Sequence, residues 1–66
     1  MQITLNGEAI NIKDNSKIGD ILNEYALSPQ KVAIELNLEI IPVDQFDTTT
    51  LNDGDKIEIV EFVGGG

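Results

Sequence analysis

The side chains with the most obvious chemical potential in this chain are carboxylates. Asp53 and Asp55 flank Gly54, and Asp44 and Asp47 lie close together in an earlier polar segment. Acid–base catalysis would require one member of such a pair to be buried, and a calcium loop would require more alternating oxygen ligands and a closing Glu. Asp is common in tight turns, because its side chain hydrogen-bonds to the local backbone. We therefore interpret these carboxylates as turn residues.

The other side chains give little support for nucleophilic catalysis or metal binding. The sequence contains no cysteine and no histidine, which excludes thiolate nucleophiles, Ser–His pairs and the usual zinc sites. Ser16, Ser28 and the threonines at 48–50 therefore lack an activating imidazole, and the four lysines are interpreted as solvated. We predict no catalytic side chain, no metal site and no bound cofactor.

One reactive group remains, the terminal carboxylate of Gly66, which is an ionised oxygen nucleophile at neutral pH. Gly64, Gly65 and Gly66 carry no side chains, and they can extend by roughly 10 Å. Such a tail could pass through a narrow channel and deliver its carboxylate to the active site of another protein. The alternative is a frayed terminus or a cloning remnant, because glycine loses more backbone entropy on ordering than any other residue.

The charge of the chain bears on its partners. Twelve acidic residues and four lysines give a net charge of −8, and no basic stripe is present, so nucleic-acid binding is not expected. A protein surface rich in Lys and Arg would be attracted to such a chain. The alternative is that the charge only keeps a small domain soluble. No signal peptide or membrane-spanning run is evident, so we expect a cytoplasmic protein. We also expect the protein to be a monomer when free.

The first half of the chain predicts a hairpin followed by a helix. Asn6-Gly7 suits the positive φ angles of a two-residue hairpin turn. Ser16 is the expected N-cap of the helix, Asp20 supports its first turn, and the helix should end around Leu27 or Ser28 because a proline follows. Its buried face is predicted from spacings of three and four and comprises Ile18, Ile21, Leu22, Tyr25 and Ala26.

The second half predicts strands separated by turns. Residues 32–36 alternate in the manner of a strand, and a turn at Asn37-Leu38 leads into a short strand that Pro42 ends or places at a sheet edge. A polar connection, with room for one helical turn, then brings Phe46 into the core. The segment "NDGD" is a strong turn signal before the last strand, "KIEIVEFV".

The last strand breaks its own alternation. Val60 and Phe62 fall on the opposite face from Ile57 and Ile59. One interpretation is a bulge that redirects the strand. The other is a small exposed apolar patch beside the tail, available to a partner. The sequence leaves both open.

The order of elements indicates an α+β fold, with one helix packed on a mixed four- to five-stranded sheet. We expect the first and last strands to lie side by side in parallel at the centre, as in a ubiquitin-like β-grasp. Residues 1–63 would form this domain, and residues 64–66 a flexible glycine tail.

Several blocks along the chain carry a family resemblance. They are "MQITLNGE", "PQKVAIELN" at 29–37, Pro42, "LNDGDKIEIV" and the terminal "VGGG". Together they resemble the ThiS family, the sulfur carrier proteins of thiamine (thiazole) biosynthesis, over nearly the whole chain. The glycine pair at the end is shared by all ubiquitin-like modifiers, and the other blocks make the resemblance more specific.

The resemblance implies a β-grasp protein that is acted on by enzymes and is not itself an enzyme. An E1-like adenylyltransferase would use ATP and Mg to convert the Gly66 carboxylate into an acyl-adenylate. A persulfide from a sulfurtransferase or cysteine desulfurase would displace AMP and leave a thiocarboxylate. Thiazole synthase would accept that sulfur. The resemblance also implies that the channel of the activating enzyme accepts Gly65 and Gly66.

Partner contacts beside the tail are a further implication of the resemblance. Phe62 and Val63 stand where family members present apolar contacts, so Val60, Phe62 and Val63 are the predicted docking residues. Three positions depart from the residues usual in the family: Asn37-Leu38 for Asn-Gly, Val43 for a basic residue and Phe46 for tryptophan.

Two alternatives share the fold and the glycine tail. The small subunit of molybdopterin synthase uses the same thiocarboxylate chemistry, but its family members are usually longer and approach the double glycine differently. A ubiquitin-like protein modifier would instead be joined through Gly66 to lysines of its targets.

Overall fold

A mixed five-stranded sheet carries one helix on its inner face in the computed structural model, which describes residues 1–62. Within this part of the chain, the strand order is β2-β1-β5-β3-β4, and β1 and β5 are parallel neighbours while the other pairs are antiparallel. This confirms the predicted architecture. The elements are β1 (Gln2–Leu5), β2 (Glu8–Asn11), α1 (Ile18–Glu24), β3 (Val32–Leu36), β4 (Glu39–Ile41) and β5 (Lys56–Glu61).

The first hairpin has the predicted turn. Asn6 has a φ of 49° and Gly7 a φ of 83°, and Leu5 pairs directly with Glu8 across the two-residue loop. Positive φ at both central positions is what this type of hairpin turn requires, and Asn-Gly supplies it at the lowest steric cost.

The start of α1 differs from the prediction. The N-cap residue is Lys17, whose backbone N–H donates to the Asp20 carboxylate at 2.8 Å. Ser16 was expected to cap the helix, but its hydroxyl donates to the Lys13 carbonyl at 2.7 Å. The Ser16 prediction is therefore wrong, and the first-turn role of Asp20 is confirmed.

The end of α1 comes earlier than predicted. The helix ends at Glu24, and Ala26 adopts a left-handed φ of 55°. The Ala26 N–H donates to the Asn23 carbonyl at 3.2 Å, and the Leu27 N–H donates to the Leu22 carbonyl at 2.8 Å. These two bonds form a Schellman motif, which closes the helix with a left-handed residue just after its C-cap.

The early end leaves part of the predicted helical face outside the core. Tyr25 is 46% exposed and Ala26 is also exposed, so the assignment of these two residues to the buried face is wrong. Ile18, Ile21 and Leu22 are buried as predicted. The left-handed turn at Ala26 redirects the chain before a third helical turn can pack against the sheet.

The connection between β4 and β5 packs against the start of α1. Phe46 is buried in the core, as predicted, and its carbonyl accepts a hydrogen bond from the Gly19 N–H at 2.9 Å. A Cβ at Gly19 would collide with a carboxylate oxygen of Asp47. A side chain at residue 19 would therefore displace the Asp47 carboxylate. The connection also includes one 3₁₀ turn at Val43–Gln45.

The second hairpin uses the same type of turn with a less suitable residue. Asn37 has a φ of 51° and Leu38 a φ of 71°, and the Leu38 side chain is 91% exposed. The strand that follows is at the sheet edge and ends at Ile41, directly before Pro42. Both predicted effects of Pro42 are thus present.

The core lies between α1 and the inner face of the sheet. The buried hydrophobic side chains are Ile3, Ile18, Ile21, Leu22, Val32, Ile34, Phe46, Leu51, Ile57 and Ile59.

No helix among residues 1–62 has the length and apolar character needed to cross a membrane.

Candidate functional site

The last strand keeps a regular register along its whole length. β5 pairs with β3 without interruption, from Leu36 opposite Ile57 to Val32 opposite Glu61. The bulge interpretation is therefore wrong. Because the alternation is unbroken, Ile57 and Ile59 enter the core, whereas Glu58 and Val60 lie on the opposite, solvent-exposed face.

The exposed side of β5 is apolar near its end. Val60 is 63% exposed and Phe62 is 50% exposed. Across the sheet, Val60 lies opposite Ala33 of β3, and the edge strand β4 adds Ile40, which is 75% exposed. We call Ala33, Ile40, Val60 and Phe62 the apolar patch. The sequence-based alternative of an exposed apolar surface is the correct one.

Two acidic side chains accompany the apolar patch. Glu35 of β3 lies opposite Ile40 on one side and opposite Glu58 on the other, and both glutamates are exposed. A surface that combines apolar area with carboxylates is complementary to a partner with an apolar centre and basic groups around it.

The backbone is held in place up to the last described residue. The Phe62 N–H donates to the Lys31 carbonyl at 2.8 Å, one residue beyond the paired strand. On the other side of β5, the Asn6 side chain bonds to the backbone of Ile59. The described part of the chain therefore ends at a residue that is hydrogen-bonded to the sheet.

The turn carboxylates have structural partners. Asp53 accepts a hydrogen bond from the Gln2 N–H at 2.8 Å. Asp55 accepts one from the Asn52 N–H at 2.8 Å and one from the Asn37 amide at 3.0 Å. The interpretation of Asp53 and Asp55 as turn residues is confirmed. Within residues 1–62, no group of three or more acidic side chains is arranged to hold a metal ion.

The described residues include only part of the predicted site. Val60 and Phe62 lie together on the apolar patch, whereas Val63, Gly64, Gly65 and Gly66 lie outside the described residues. Threading of the tail and modification of its carboxylate stay predictions, as does docking through Val60 and Phe62.

Sequence reasoning missed two members of the apolar patch, Ala33 and Ile40. They belong to other strands, and only the pairing of β3 with β4 and β5 brings them beside Val60. The available signal was the run Glu39-Ile40-Ile41, because alternation in an edge strand must place one of its two isoleucines on the open face.

Comparisons with known proteins agree on one family. A model of the ThiS family matches residues 3–66. The sulfur carrier protein ThiS of Bacillus subtilis (strain 168) is 43% identical over 65 residues, which cover 97% of this chain and 98% of that protein. A thiazole synthase of Paramagnetospirillum magneticum is 42% identical over the full 66 residues, and the chain spans only 20% of the length of that protein.

A solved structure shows the same fold. The crystal structure of a thiamine biosynthesis protein (ThiS) from Geobacter metallireducens matches with a TM-score of 0.84 and 32% identity, and the match covers both chains completely. This likeness confirms the ubiquitin-like β-grasp that the order of elements predicted.

Proposed function

The chain belongs to the ThiS family of sulfur carrier proteins of thiamine biosynthesis, and we propose that it carries sulfur as a thiocarboxylate on Gly66. The observation that supports this most directly is the family match, which extends through Gly66 itself. The sequence contains no cysteine, so a covalent carrier of sulfur has no thiol side chain to use. The terminal carboxylate is the group that remains.

Activation of this carboxylate requires a partner enzyme. A carboxylate is a poor acyl donor, because its negative charge repels nucleophiles and its leaving group would be an oxide ion. An E1-like adenylyltransferase would bind Mg-ATP, and a carboxylate oxygen of Gly66 would attack the α-phosphorus with loss of pyrophosphate. The product is an acyl-adenylate with AMP as a good leaving group.

Sulfur transfer then takes place at the activated carbonyl carbon. The terminal sulfur of a persulfide, held by a sulfurtransferase or cysteine desulfurase, attacks that carbon and AMP leaves. A thiol cleaves the resulting S–S bond and releases the Gly66 thiocarboxylate. Throughout this cycle the β-grasp domain supplies recognition, while the partner enzymes supply the catalytic groups.

Thiazole synthase is the proposed acceptor of the sulfur. A protein of that name contains a segment similar to the whole of this chain, which supports a close working relationship between a carrier of this type and thiazole formation. In the proposed cycle, the thiocarboxylate sulfur is passed to the growing thiazole ring as its C–S bond to Gly66 breaks. An oxygen atom from the acceptor or from water takes its place on the Gly66 carbonyl carbon, which returns Gly66 to the carboxylate.

The apolar patch is the proposed docking surface for these enzymes, together with Val63. Its support is the exposure of Val60 and Phe62 beside the fixed end of β5. The Phe62 N–H is hydrogen-bonded to the carbonyl of Lys31, the residue directly before β3. A partner that binds this face would therefore meet the tail at a defined position. Threading of Gly64, Gly65 and Gly66 into the active site of the partner would follow from that position.

Mass spectrometry of the intact protein tests the chemistry. After incubation with the adenylyltransferase, Mg-ATP and a sulfur donor, we expect one oxygen atom to be replaced by sulfur, localised to Gly66. Deletion of Gly66 should abolish the change without unfolding the domain. Sulfur gained by the truncated protein would contradict the mechanism, and an isopeptide adduct on target lysines would identify a modifier instead.

A further inference from the structure

A concave groove of about 540 Å³ lies on the inner side of the sheet, beyond the end of α1. It is lined by the apolar side chains Leu5 from β1, Ile59 from β5 and Leu27 from the segment after the helix. Tyr25, Glu8 and Glu61 also line it. We call this surface the end groove, and it lies on the opposite face of β5 from the apolar patch.

The end groove exists because the helix is too short to cover the sheet. α1 has seven residues, which corresponds to a length of about 10 Å. β5 has six residues, which corresponds to about 20 Å. Since the Schellman motif at Ala26 turns the chain away, the helix ends before it covers the inner face near Leu5, which is only half-buried.

The charges around the end groove are all negative. Glu8 at the start of β2 and Glu61 at the end of β5 line it, while none of the four lysines does. Neither glutamate takes part in an ion pair within residues 1–62. Asn6 also lines the groove, but both functional ends of its amide are engaged by the backbone of Ile59. The groove therefore offers two carboxylates without a cationic partner.

The combination of apolar side chains with two carboxylates favours one kind of occupant over the others. The terminal carboxylate of the chain itself would be repelled by Glu8 and Glu61. A second copy, which also carries a net charge of −8, would be repelled as well. An arginine side chain fits, because its aliphatic stem can pack on the half-buried Leu5 and Leu27. Its guanidinium can stack on the Tyr25 ring and pair with carboxylates.

We propose that the end groove receives an arginine side chain of a partner protein that acts on the tail. The identity of that partner as a tail-binding enzyme rests on the proposed function, whereas the chemistry of the groove does not. Glu61 directly precedes Phe62, so an enzyme that contacts the end groove and the apolar patch would hold the end of β5 from both faces.

An NMR titration of the full-length protein tests the groove without any partner enzyme. The probe is the peptide acetyl-Leu-Arg-amide, and the control is the same peptide with neutral citrulline in place of arginine. The arginine peptide should cause saturable shifts at the amides of Tyr25, Leu27 and Glu61, and the citrulline peptide should bind at least about fivefold more weakly. Equal binding of the two peptides would overturn the proposal.

Charge-matched variants show whether the carboxylates of the groove are responsible. The double variant Glu8→Gln with Glu61→Gln should remove the preference for arginine over citrulline. Glu39→Gln with Asp44→Asn makes the same change in net charge at exposed positions away from the groove, and it should leave the preference unchanged. Loss of the preference in both double variants would mean that only the overall charge matters, which contradicts a specific site.

The same variants extend the test to the adenylyltransferase. The groove variant should raise the KM for the carrier severalfold at unchanged kcat, while the control variant should leave both unchanged. An unchanged KM in the groove variant would contradict the use of the groove by this enzyme. If no sulfur is transferred to Gly66, the proposed function fails, and the peptide titration still decides whether the groove recognises arginine.

Discussion

The side chain of Asn6 pairs with the backbone of Ile59 on both of its hydrogen-bonding groups. The Ile59 N–H donates to the Asn6 Oδ1 at 2.8 Å, and the Asn6 amide nitrogen donates to the Ile59 carbonyl at 3.2 Å. The paired register of β1 with β5 extends only as far as Leu5 opposite Ile57. The Asn6 side chain therefore extends the hydrogen bonding along β5 to Ile59, at the point where the backbone of the first hairpin turns away from β5.

Removal of this side chain should weaken the domain. Asn6→Gly keeps the positive φ of the turn but leaves the Ile59 backbone groups without their partner, so we expect a loss of about 1–2 kcal/mol in the free energy of unfolding. Urea denaturation measures it. Asn15→Gly is the matched control, because Asn15 also has a positive φ of 66° without a comparable pairing. An equal loss in both variants would show that the Asn6 bonds contribute nothing.

The Schellman turn after α1 predicts a stabilising substitution. Ala26 adopts a left-handed φ of 55°, which costs an L-residue about 1–2 kcal/mol, while glycine avoids most of this cost. Ala26→Gly should therefore raise the free energy of unfolding by about 1 kcal/mol, read from thermal or urea denaturation. Ala33→Gly, in the interior of β3, should lower it by about 0.5–1 kcal/mol. Destabilisation by Ala26→Gly would contradict the left-handed conformation.

The second hairpin allows an independent test of the same physics. Leu38 has a φ of 71° and an almost fully exposed side chain, so it carries the backbone strain without burying apolar surface. Leu38→Gly should stabilise the protein by about 1 kcal/mol. Leu38→Ala should have an effect near zero, because it retains the strain. If the alanine variant stabilised as much as the glycine variant, the removed apolar surface would be the cause.

The apolar patch should matter for partner binding and not for stability. Val60→Ser removes apolar area from an exposed position, so the free energy of unfolding should change by no more than about 0.5 kcal/mol. In steady-state kinetics with the adenylyltransferase, the KM for the carrier should rise severalfold. Val43→Ser makes the same chemical change at a position that is 52% exposed and outside the patch. Equal KM values for the two variants would place the docking surface elsewhere.

The features that sequence reasoning predicted are those with strong local signals. Asn6-Gly7 specifies its turn by itself, and the apolar periodicity of Ile18, Ile21 and Leu22 fixes which side of the helix enters the core. The parallel pairing of β1 with β5 followed from the order of elements. In each case the local preference and the tertiary arrangement agree.

The features that were missed depend on less local or less usual physics. The helix ends through a left-handed alanine, and alanine is the residue that most favours helix continuation, so Ala26 gave the wrong signal. Ser16 was misassigned because its hydroxyl has a competing partner in the Lys13 carbonyl. Ile40 joins the apolar patch only through strand pairing, which no short stretch of sequence encodes.

The central position of β5 has a mechanical consequence. A partner that pulls on the chain beyond Phe62 applies its load along the axis of β5, which is hydrogen-bonded to β1 on one side and to β3 on the other. Those hydrogen bonds would be loaded in shear and would have to break together. β5 is the central strand, so it cannot be peeled from a sheet edge one residue at a time. The strand order therefore makes this end of the described chain resistant to traction, because β5 is held by both of its neighbours.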